Sequence, residues 1–444
     1  MYAEFFSVLL RQGKFFRPRT HLRVSGSPPS RLGRPTRRRG TTTLLAFGFV
    51  AALLLHACSE NPARSQRAVV KTGLDVLAGQ RYRPLKGKRV GLVCNQSAVN
   101  SRGEHIVELF RSQDAFQLVA LFSPEHGLWG GLDENVPSGV DPQTGLTVHS
   151  LYGETRRPTP ESLQGIDTLV FDVQDVGARF YTYISTMAMC MEEAARHKIK
   201  FVVLDRPNPI TGTRVFGPVL DKSYEGEFIS YFPLPLAQGM TIGELARMFN
   251  ARFGIRCDLT VIKMRGWRRR MWFDETGLPW VKPSPNIRNL LATTLYPGFG
   301  IVERTNVSVG RGTDSPFELY GAPWMDAKRL AKEMNSRGLS GLQFVPAEFT
   351  PERSVFAGEK CFGVRVILTD RSRLDCVRAG LAFVDAIWRL HGGAFKIDEI
   401  SPMIGDPTVA EKIKTGVSVD KIIRSWRPGL QRFLRDRERY LLYE

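Results

Sequence analysis

The 444-residue sequence predicts an α/β protein of two domains, in which a domain built on a parallel sheet is followed by a smaller α+β domain. The first half of the chain alternates short apolar strands with helical stretches, which is typical of βαβ units. A Pro-rich stretch at 282–286 then separates this half from a region without such alternation. The length also exceeds that of most single domains, which agrees with this division.

Four apolar runs in the first half have the length and the β-branched content of buried strands. These runs are Arg89–Cys94, Phe116–Phe122, Thr168–Val173 and Lys200–Asp205. Helical periodicity is found between them at Glu104–Ser112 and Ile184–His197. Because these short apolar strands alternate with helices, they are expected to form βαβ units and a parallel sheet.

Polar side chains follow three of these strands at the point where each strand ends. The clusters are Glu125 and His126; Asp172, Gln174 and Asp175; and Asp205, Arg206 and Asn208. The carboxyl ends of parallel strands form the binding crevice of such a sheet, so the clusters are expected to project from one edge. The sequence therefore predicts a binding or catalytic site there, and Arg179 and Tyr181 lie just beyond the second cluster.

Each cluster also has a purely structural interpretation. The segment Pro124–Gly127 makes a good turn whatever the function of its glutamate, and carboxylates near Arg179 can form an ion pair that only stabilises the fold. Tyr181 can stack on a sugar face or simply pack, and Asp205–Pro209 can be a capped turn. Three polar strand ends at one edge favour function over these alternatives.

The second domain is expected to add Glu303 and Asn306 to the same crevice, because both follow the Pro-rich stretch closely. Beyond them the pattern predicts helices at Asp326–Arg337, Asp375–His391 and Val419–Tyr440, and strands at Leu342–Pro346 and Gly363–Thr369. The predicted boundaries are residues 68–288 for the sheet domain and 289–444 for the α+β domain.

Residues 1–57 are predicted to be a signal peptide. Arg37–Arg39 precede an unbroken apolar run, Leu44–Leu55, which is too short to span a bilayer permanently. The run ends in Leu-His-Ala-Cys58, which resembles the bacterial lipobox, so Cys58 is expected to carry a lipid anchor and residues 58–67 to form a tether. The chain is thus expected in the periplasm or cell envelope, attached to a membrane. A plain signal peptide and an uncleaved anchor are the alternatives.

The formal net charge of +18 does not by itself indicate a nucleic-acid-binding protein. Residues 1–57 hold ten Lys and Arg and one acidic residue, and so contribute half of this charge. The remainder is spread along the chain, and it carries no zinc-finger, helix-turn-helix or RNA-recognition signature, so no nucleic-acid partner is predicted. An acidic polymer such as peptidoglycan suits a mildly basic surface equally well.

Sequence signatures of several other chemistries are missing. The chain has no GxGxxG or Walker sequence after the first strand, no HExxH pattern and no GxSxG elbow. It is therefore predicted to use no nucleotide cofactor, no metal and no serine nucleophile. The five cysteines after Cys58 are widely spaced and are expected to be buried single thiols, with a bridge between Cys361 and Cys376 as the alternative.

Eight motifs, in order along the chain, resemble those of one bacterial family. They are SPEHG (Ser123–Gly127), TGLTVHSLYG (Thr144–Gly153), FDVQDVGARFYTYI (Phe171–Ile184), VLDRPNPITG (Val203–Gly212), PSPN (Pro283–Asn286), TNVSVGRGT (Thr305–Thr313), PFELYGAPW (Pro316–Trp324) and YLLY (Tyr440–Tyr443). The family is that of the exo-β-N-acetylmuramidases, long catalogued as a domain of unknown function, and the resemblance covers nearly all of Gly87–Tyr443. It implies a Rossmann-like N-terminal domain, a smaller C-terminal domain and an active site between them. The implied activity releases N-acetylmuramic acid (MurNAc) from the non-reducing ends of peptidoglycan-derived glycans.

Glycoside hydrolysis requires a pair of carboxylates, and the resemblance implies that Glu125 and Glu303 are that pair. One would be the general acid/base and the other the second carboxylate, in either order, while His126 would tune or relay the proton. Arg179 and Arg206 are then candidates to bind the lactyl carboxylate that distinguishes MurNAc from GlcNAc. Asp172 or Asp175 could instead assist the 2-acetamido group. Substrate contacts are also expected from Gln174, Tyr181, Asp205, Asn208 and Asn306.

The chain departs from the family pattern at two positions. Ser123 replaces the first glycine of the usual Gly-Pro-Glu-His-Gly, which is expected to have little consequence. Arg304 replaces the glycine of the usual Glu-Gly-Thr-Asn and brings a bulky cation beside Glu303. This second departure leaves a non-catalytic, cell-wall-binding lipoprotein open as the alternative function.

Overall fold

The computed structural model describes residues 69–131 and 137–444, which lie in one compact unit, Gln66–Glu444. The predicted signal peptide, Cys58 and the predicted tether lie outside the described residues. Within the described ranges, no helix is both long and apolar enough to cross a bilayer. The domain boundary between residues 288 and 289 stays a prediction.

The first half of the described chain is organised around a seven-stranded sheet. Its strands, with those of a small hairpin, are β1 Arg89–Cys94, β2 Gln117–Ser123, β3 Gly139–Val140, β4 Thr147–Ser150, β5 Thr168–Asp172, β6 Lys200–Leu204, β7 Phe216–Val219, β8 Pro235–Ala237 and β9 Leu259–Ile262. The order in the sheet is β3-β4-β2-β1-β5-β6-β9, and all neighbours are parallel except the antiparallel edge pair β3–β4. Strands β7 and β8 form the separate antiparallel hairpin. The predicted α/β fold with a parallel sheet is confirmed.

Helices cover both faces of this sheet. They are α1 Gly73–Gly79, α2 Ile106–Arg111, α3 Tyr183–Arg196 and α4 Ile242–Arg252. Along β5, Val170 belongs to the core cluster of α1 and α2, whereas Leu169 and Phe171 belong to that of α3 and α4. This alternation explains the uninterrupted apolar strand sequences, because every residue of a doubly covered strand meets a helix. The four predicted strands and the two predicted helices are confirmed, with ends that differ by at most two residues.

The second half contains a three-stranded antiparallel sheet with helices packed around it. Its elements are α5 Leu290–Phe299, β10 Leu319–Ala322, α6 Ala327–Ser336, β11 Leu342–Phe349, β12 Cys361–Leu368, α7 Cys376–His391, α8 Ser401–Ile404, α9 Val409–Lys414 and α10 Val419–Arg437. The strand order is β10-β12-β11. The α+β character predicted for this half is confirmed, as are its three predicted helices and two predicted strands.

The close crossing of α5 and α7 positions the loop that carries Glu303. A Cβ atom at Gly298 would lie 1.8 Å from the carbonyl oxygen of Cys376, and one at Gly380 would lie 2.0 Å from the carbonyl oxygen of Gly298. Only glycine allows the two backbones to approach so closely. Helix α5 continues through a short 3₁₀ turn, Gly300–Val302, so its packing against α7 determines where Glu303 lies.

The C-terminal YLLY motif packs back onto the first half of the chain. The Tyr443 hydroxyl donates to Oδ2 of Asp205 at 2.5 Å, and the Leu442 amide donates to Oε1 of Glu244 at 2.8 Å. Arg247 donates to the carbonyl oxygen of Tyr440 at 2.7 Å. The motif therefore fastens the end of the chain to α4 and to the end of β6, which gives it a structural role.

Candidate active site

A cavity of about 180 Å³ lies where the loop after β2, the segment before α3 and the loop after α5 meet. Its polar lining includes Glu125, His126, Thr182, Ser284, Glu303, Arg304 and Arg311. All three predicted catalytic residues, Glu125, His126 and Glu303, thus lie on one cavity. Of the predicted substrate-binding residues, Tyr181 also lines it.

Glu125 is held in place by the beginning of α3. The Thr182 hydroxyl donates to Oε2 of Glu125 at 2.5 Å. The next residue, Tyr183, donates its hydroxyl to the backbone carbonyl of Pro283 at 2.5 Å and lies 3.5 Å from that of Glu125. The carboxylate therefore has a neutral hydroxyl as its hydrogen-bond partner, and the turn that carries it is fastened to the Pro-rich stretch. Sequence reasoning missed Thr182, although it directly follows Tyr181 in the same polar and aromatic stretch.

Tyr152 lies beside Glu125 on the other side. Burial, followed by the negative charge of Glu125, raises the pKa of Tyr152 to about 12, so this hydroxyl is a neutral hydrogen-bond donor at physiological pH. Tyr152 also lines a second, wider cavity of about 520 Å³, together with Ser150 and the exposed Glu154. The Glu125 carboxylate is thus close to both cavities.

His126 lies in the left-handed region of backbone conformation, with φ of 75°, and its side chain is buried. A residue other than glycine is strained there by roughly 1–3 kcal/mol, and such strain is found most often at functional sites. The conformation turns the chain sharply after Glu125, so that consecutive residues both reach the cavity.

Glu303 is paired with a cation. Arg311 donates to Oε1 of Glu303 in an ion pair, and the Tyr296 hydroxyl lies 3.5 Å from Oε2. The guanidinium of Arg311 also lies over the ring of Phe317, 5.6 Å from its centroid. The two cavity carboxylates therefore differ, since Glu303 has a cationic partner and Glu125 a neutral one. Sequence reasoning did not single out Arg311 as a site residue, and nothing local indicated that it would meet Glu303.

An aromatic wall completes the cavity. Tyr181 makes edge contacts with Tyr183 and Tyr296, at centroid distances of 4.7 and 5.9 Å. Burial and the neighbouring Tyr183 raise the pKa of Tyr181 well above its ordinary value, so its hydroxyl stays neutral. Phe180 packs edge-on against Tyr296 at 5.0 Å. Apolar ring surfaces opposite a pair of carboxylates suit a ligand with both a sugar face and hydroxyl groups.

The predicted roles of Asp172 and Arg206 as substrate ligands need correction. The two side chains form a buried ion pair in which Nε and Nη2 of Arg206 donate to the two oxygens of Asp172, at 2.5 and 2.9 Å. Asp172 is fully buried, and neither residue lines the 180 Å³ cavity. Each charged group is thus bonded to the other at the sheet edge and lies outside the cavity lining, so neither is placed to bind a substrate in that cavity.

Arg179 also needs correction as a substrate ligand. Its buried guanidinium donates to three backbone carbonyls, those of Met403 at 2.8 Å, Leu234 at 3.1 Å and Pro218 at 3.4 Å. Burial lowers the pKa of Arg179 to about 9. The side chain lies behind the cavity and fastens the β7–β8 hairpin to Met403, which is part of the cavity wall. Its role is structural.

Gln174 and Asp175 lie at the sheet edge but outside the cavity lining. Gln174 donates to the backbone carbonyls of Asp175 and Pro207, at 2.7 and 2.8 Å. The Gly177 amide donates to Oδ2 of Asp175 at 2.7 Å. Burial raises the pKa of Asp175 to about 7. Both residues shape the turn after β5, and the substrate contacts predicted for them are not supported.

The raised pKa of Asp175 predicts a specific pH dependence of stability. The folded state keeps the proton on Asp175 up to about pH 7, whereas the unfolded chain loses it near pH 4. The free energy of unfolding of the wild type, relative to Asp175→Asn, should therefore fall as the pH rises from about 4 to 7, by at most about 1.4 kcal/mol per pH unit. Urea denaturation at several pH values measures this difference. Asp205, whose pKa is raised similarly, is present in both proteins and cancels. Parallel stability curves would contradict the prediction.

The remaining predicted ligands are also engaged in the fold. Asp205 accepts hydrogen bonds from the Thr241 hydroxyl at 2.9 Å and from the Gly243 amide at 2.8 Å, in addition to the one from the Tyr443 hydroxyl. Asn208 donates to the carbonyl oxygen of Met240 at 3.0 Å. Asn306 donates to the carbonyl oxygen of Ala394 at 2.8 Å and accepts from the Lys396 amide at 2.8 Å. None of the three lines the 180 Å³ cavity, and the substrate contacts predicted for them stay predictions.

The described residues contain no group of three or more His, Cys, Asp or Glu that could hold a metal ion. The five cysteines in this part of the chain, Cys94, Cys190, Cys257, Cys361 and Cys376, are all buried and unpaired. The prediction of buried single thiols is therefore confirmed, and the alternative bridge between Cys361 and Cys376 is not formed.

Two family models together cover most of the chain. The model described as "Exo-beta-N-acetylmuramidase NamZ, N-terminal" matches residues 90–291, and the one described as "Exo-beta-N-acetylmuramidase NamZ, C-terminal" matches residues 294–443. The chain is also 43% identical over 407 residues to the "Peptidoglycan beta-N-acetylmuramidase NamZ" of Bacillus subtilis (strain 168), covering 90% of this chain and 98% of that protein.

Two solved structures share the fold. Both are crystal structures of DUF1343 family proteins from Bacteroides fragilis NCTC 9343. The first is 35% identical, covers 85% of this chain and 100% of its own, and superposes with a TM-score of 0.79. The second is 31% identical, covers 84% of this chain and 99% of its own, and has a TM-score of 0.68.

Proposed function

The chain belongs to the exo-β-N-acetylmuramidase family, and from this membership we propose that it is a glycoside hydrolase that removes terminal MurNAc from the non-reducing ends of peptidoglycan chains. The structural observation that carries the proposal is the meeting of Glu125 and Glu303 on one cavity of about 180 Å³. Two carboxylates on one site are what hydrolysis of a glycosidic bond through an oxocarbenium-like transition state requires.

The shape of the site supports an exo mode of action. The 180 Å³ cavity is small, and it suits one terminal sugar better than an internal segment of a polymer. The wider cavity of about 520 Å³ beside Tyr152 provides space for the rest of the glycan. Because Glu125 lies next to both, it is placed where the bond between the terminal sugar and the leaving sugar would be.

The contrast between the two carboxylates supports one assignment of roles. Glu303, paired with Arg311, is suited to remain an anion and to act as the nucleophile or as the base that activates water. Glu125, whose hydrogen-bond partner Thr182 is neutral, is suited to carry the proton as general acid. His126, adjacent in sequence and on the same cavity, is placed to tune or relay that proton.

The alternative of a non-catalytic, cell-wall-binding protein is not favoured. Both family models and the Bacillus subtilis relative are described as enzymes. Arg304, the departure that had kept this alternative open, does not occupy the ion pair of Glu303, which is made with Arg311.

The direct test of the proposed function is hydrolysis of the chromogenic glycoside 4-nitrophenyl β-MurNAc by the purified full chain, with the β-GlcNAc analogue as control. Release of nitrophenol from the MurNAc glycoside is the expected result. If a protein with a cooperative thermal transition releases nothing from either glycoside, the hydrolase proposal is wrong and the binding function replaces it.

We also propose that the chain is exported and anchored to a membrane by lipid on Cys58. The basic segment, the apolar run and the lipobox-like end of residues 1–58 support this. In a bacterial host fed an alkyne-bearing fatty acid, the wild type and a Ser59→Ala control should incorporate the label and Cys58→Ser should not. Equal labelling of all three proteins, or labelling of none, would contradict the proposal.

A further inference from the structure

One arginine of the cavity lining has no hydrogen-bond or ion-pair partner among the described residues. Arg304 lines the cavity and is exposed, and it forms no hydrogen bond or ion pair with the residues that the structure describes. The other arginine of the lining, Arg311, is engaged with Glu303. A guanidinium on a cavity wall that has no anionic partner in the protein can form charge-assisted hydrogen bonds with an anionic group of a ligand.

The distribution of charge in the cavity also indicates that Arg304 can bind an anionic ligand. Among the charged residues of the cavity, Glu303 and Arg311 form an ion pair. Glu125 and Arg304 form no ion pair, either with each other or with another described residue. MurNAc, unlike GlcNAc, carries a lactyl ether that ends in a carboxylate. A planar guanidinium can bind this carboxylate through two parallel hydrogen bonds.

We propose that Arg304, which is a glycine in the usual family pattern, adds a contact to the lactyl carboxylate of the terminal MurNAc and thereby increases selectivity for MurNAc over GlcNAc, an inference that rests on the proposed hydrolase function. The role first expected of Arg179 and Arg206 passes to Arg304, because both buried arginines already bond to protein acceptors. Arg304 is a specificity-determining residue in this assignment. It takes no part in proton transfer.

The test compares three substrates that differ only at the lactyl group. They are 4-nitrophenyl β-MurNAc, its lactyl methyl ester, and 4-nitrophenyl β-GlcNAc. For Arg304→Gln, kcat/KM on the MurNAc glycoside should fall about 10- to 100-fold, chiefly through a higher KM, because one charge-assisted interaction is lost. The methyl ester and the GlcNAc glycoside should change about twofold or less, because neither presents the anion.

Two further variants separate geometry from net charge. Arg304→Lys keeps the charge without the planar fork, so its kcat/KM on the MurNAc glycoside should lie between those of the wild type and Arg304→Gln. Arg156→Gln removes an exposed arginine outside the cavity lining, whose guanidinium lies over Phe228 at 4.4 Å, and it should match the wild type.

Three results would overturn the proposal. They are an unchanged MurNAc rate in Arg304→Gln, an equal fall with all three substrates, or a loss seen only with fragments that carry peptide stems. Failure of the hydrolase function itself is distinguishable, because the wild type would then hydrolyse none of the glycosides. In that case the role of Arg304 is tested by calorimetric binding of free MurNAc and of free GlcNAc to the wild type and to Arg304→Gln. The variant is expected to bind MurNAc more weakly than the wild type does and to bind GlcNAc equally well.

Discussion

Glu125→Gln is expected to lower kcat/KM for a MurNAc–GlcNAc disaccharide about 10³-fold, but to lower it only about tenfold or less for 2,4-dinitrophenyl β-MurNAc. The sugar leaving group needs a proton as the bond breaks, whereas dinitrophenolate leaves as a stable anion. A residue that acts as general acid is therefore required for the first substrate and nearly dispensable for the second. Steady-state rates with both substrates measure the difference.

The Glu125 substitution is conservative for the fold. Thr182 can still donate its hydroxyl to the amide oxygen of the glutamine, so the anchoring of the turn to α3 is kept. Thermal melting should confirm an unchanged transition, and Glu352→Gln, at an exposed position outside the cavity lining, provides the matched control. Equal losses with the disaccharide and with the activated glycoside would contradict the role of general acid.

Most of the first-half fold could be predicted because its strands are buried on both faces. Strand β1, Arg89–Cys94, has the predicted bounds, since its apolar run is flanked by charged and polar residues at both ends. Helix α5 was missed because Pro297 and Gly298 interrupt its pattern, and its glycine is explained only by the contact with α7. Strand β8, Pro235–Ala237, is too short to be recognised without its partner β7.

The candidate site could be predicted where a residue follows a strand directly. Glu125 and His126 reach the cavity because the turn after β2 ends at the crevice of the sheet. The position of Glu303 after the Pro-rich stretch indicated only that it could face the crevice, and its role as the second carboxylate came from the family resemblance, since the folding of α5 against α7 brings it there. The three polar clusters do lie at one edge of the sheet, as predicted. The sequence alone could not predict which of them would line the cavity.

Two of the polar strand ends satisfy each other instead. Whether Asp172 meets a substrate or Arg206 depends on the pairing of β5 beside β6, which is a non-local property. The structural alternative weighed for these carboxylates was an ion pair with Arg179, and the actual partner is the arginine of the neighbouring strand end. Charge at a strand end therefore marks the edge of the sheet, while burial and partners decide which charges are catalytic.

Glu303→Gln is expected to lower kcat/KM about 10³-fold with the disaccharide and with the dinitrophenyl glycoside alike. Whether Glu303 is the nucleophile or the base that activates water, its negative charge is needed at the anomeric centre before any leaving group departs. An activated leaving group consequently cannot rescue the variant. The substitution also leaves Arg311 beside an amide, which removes the charge compensation of the cavity but disturbs a partly exposed pair, so little loss of stability is expected.

Rates of Glu303→Gln on the same two substrates, with thermal melting as the check on folding, test this assignment against that of Glu125. The two variants should differ in their dependence on the leaving group, because one lacks a proton donor and the other an anion. If the dinitrophenyl glycoside rescues Glu303→Gln and not Glu125→Gln, the two roles are exchanged. If it rescues both variants, neither is the anion at the anomeric centre. We expect Glu303 to be the anion and Glu125 the general acid, because the ion pair with Arg311 favours the charged form of Glu303.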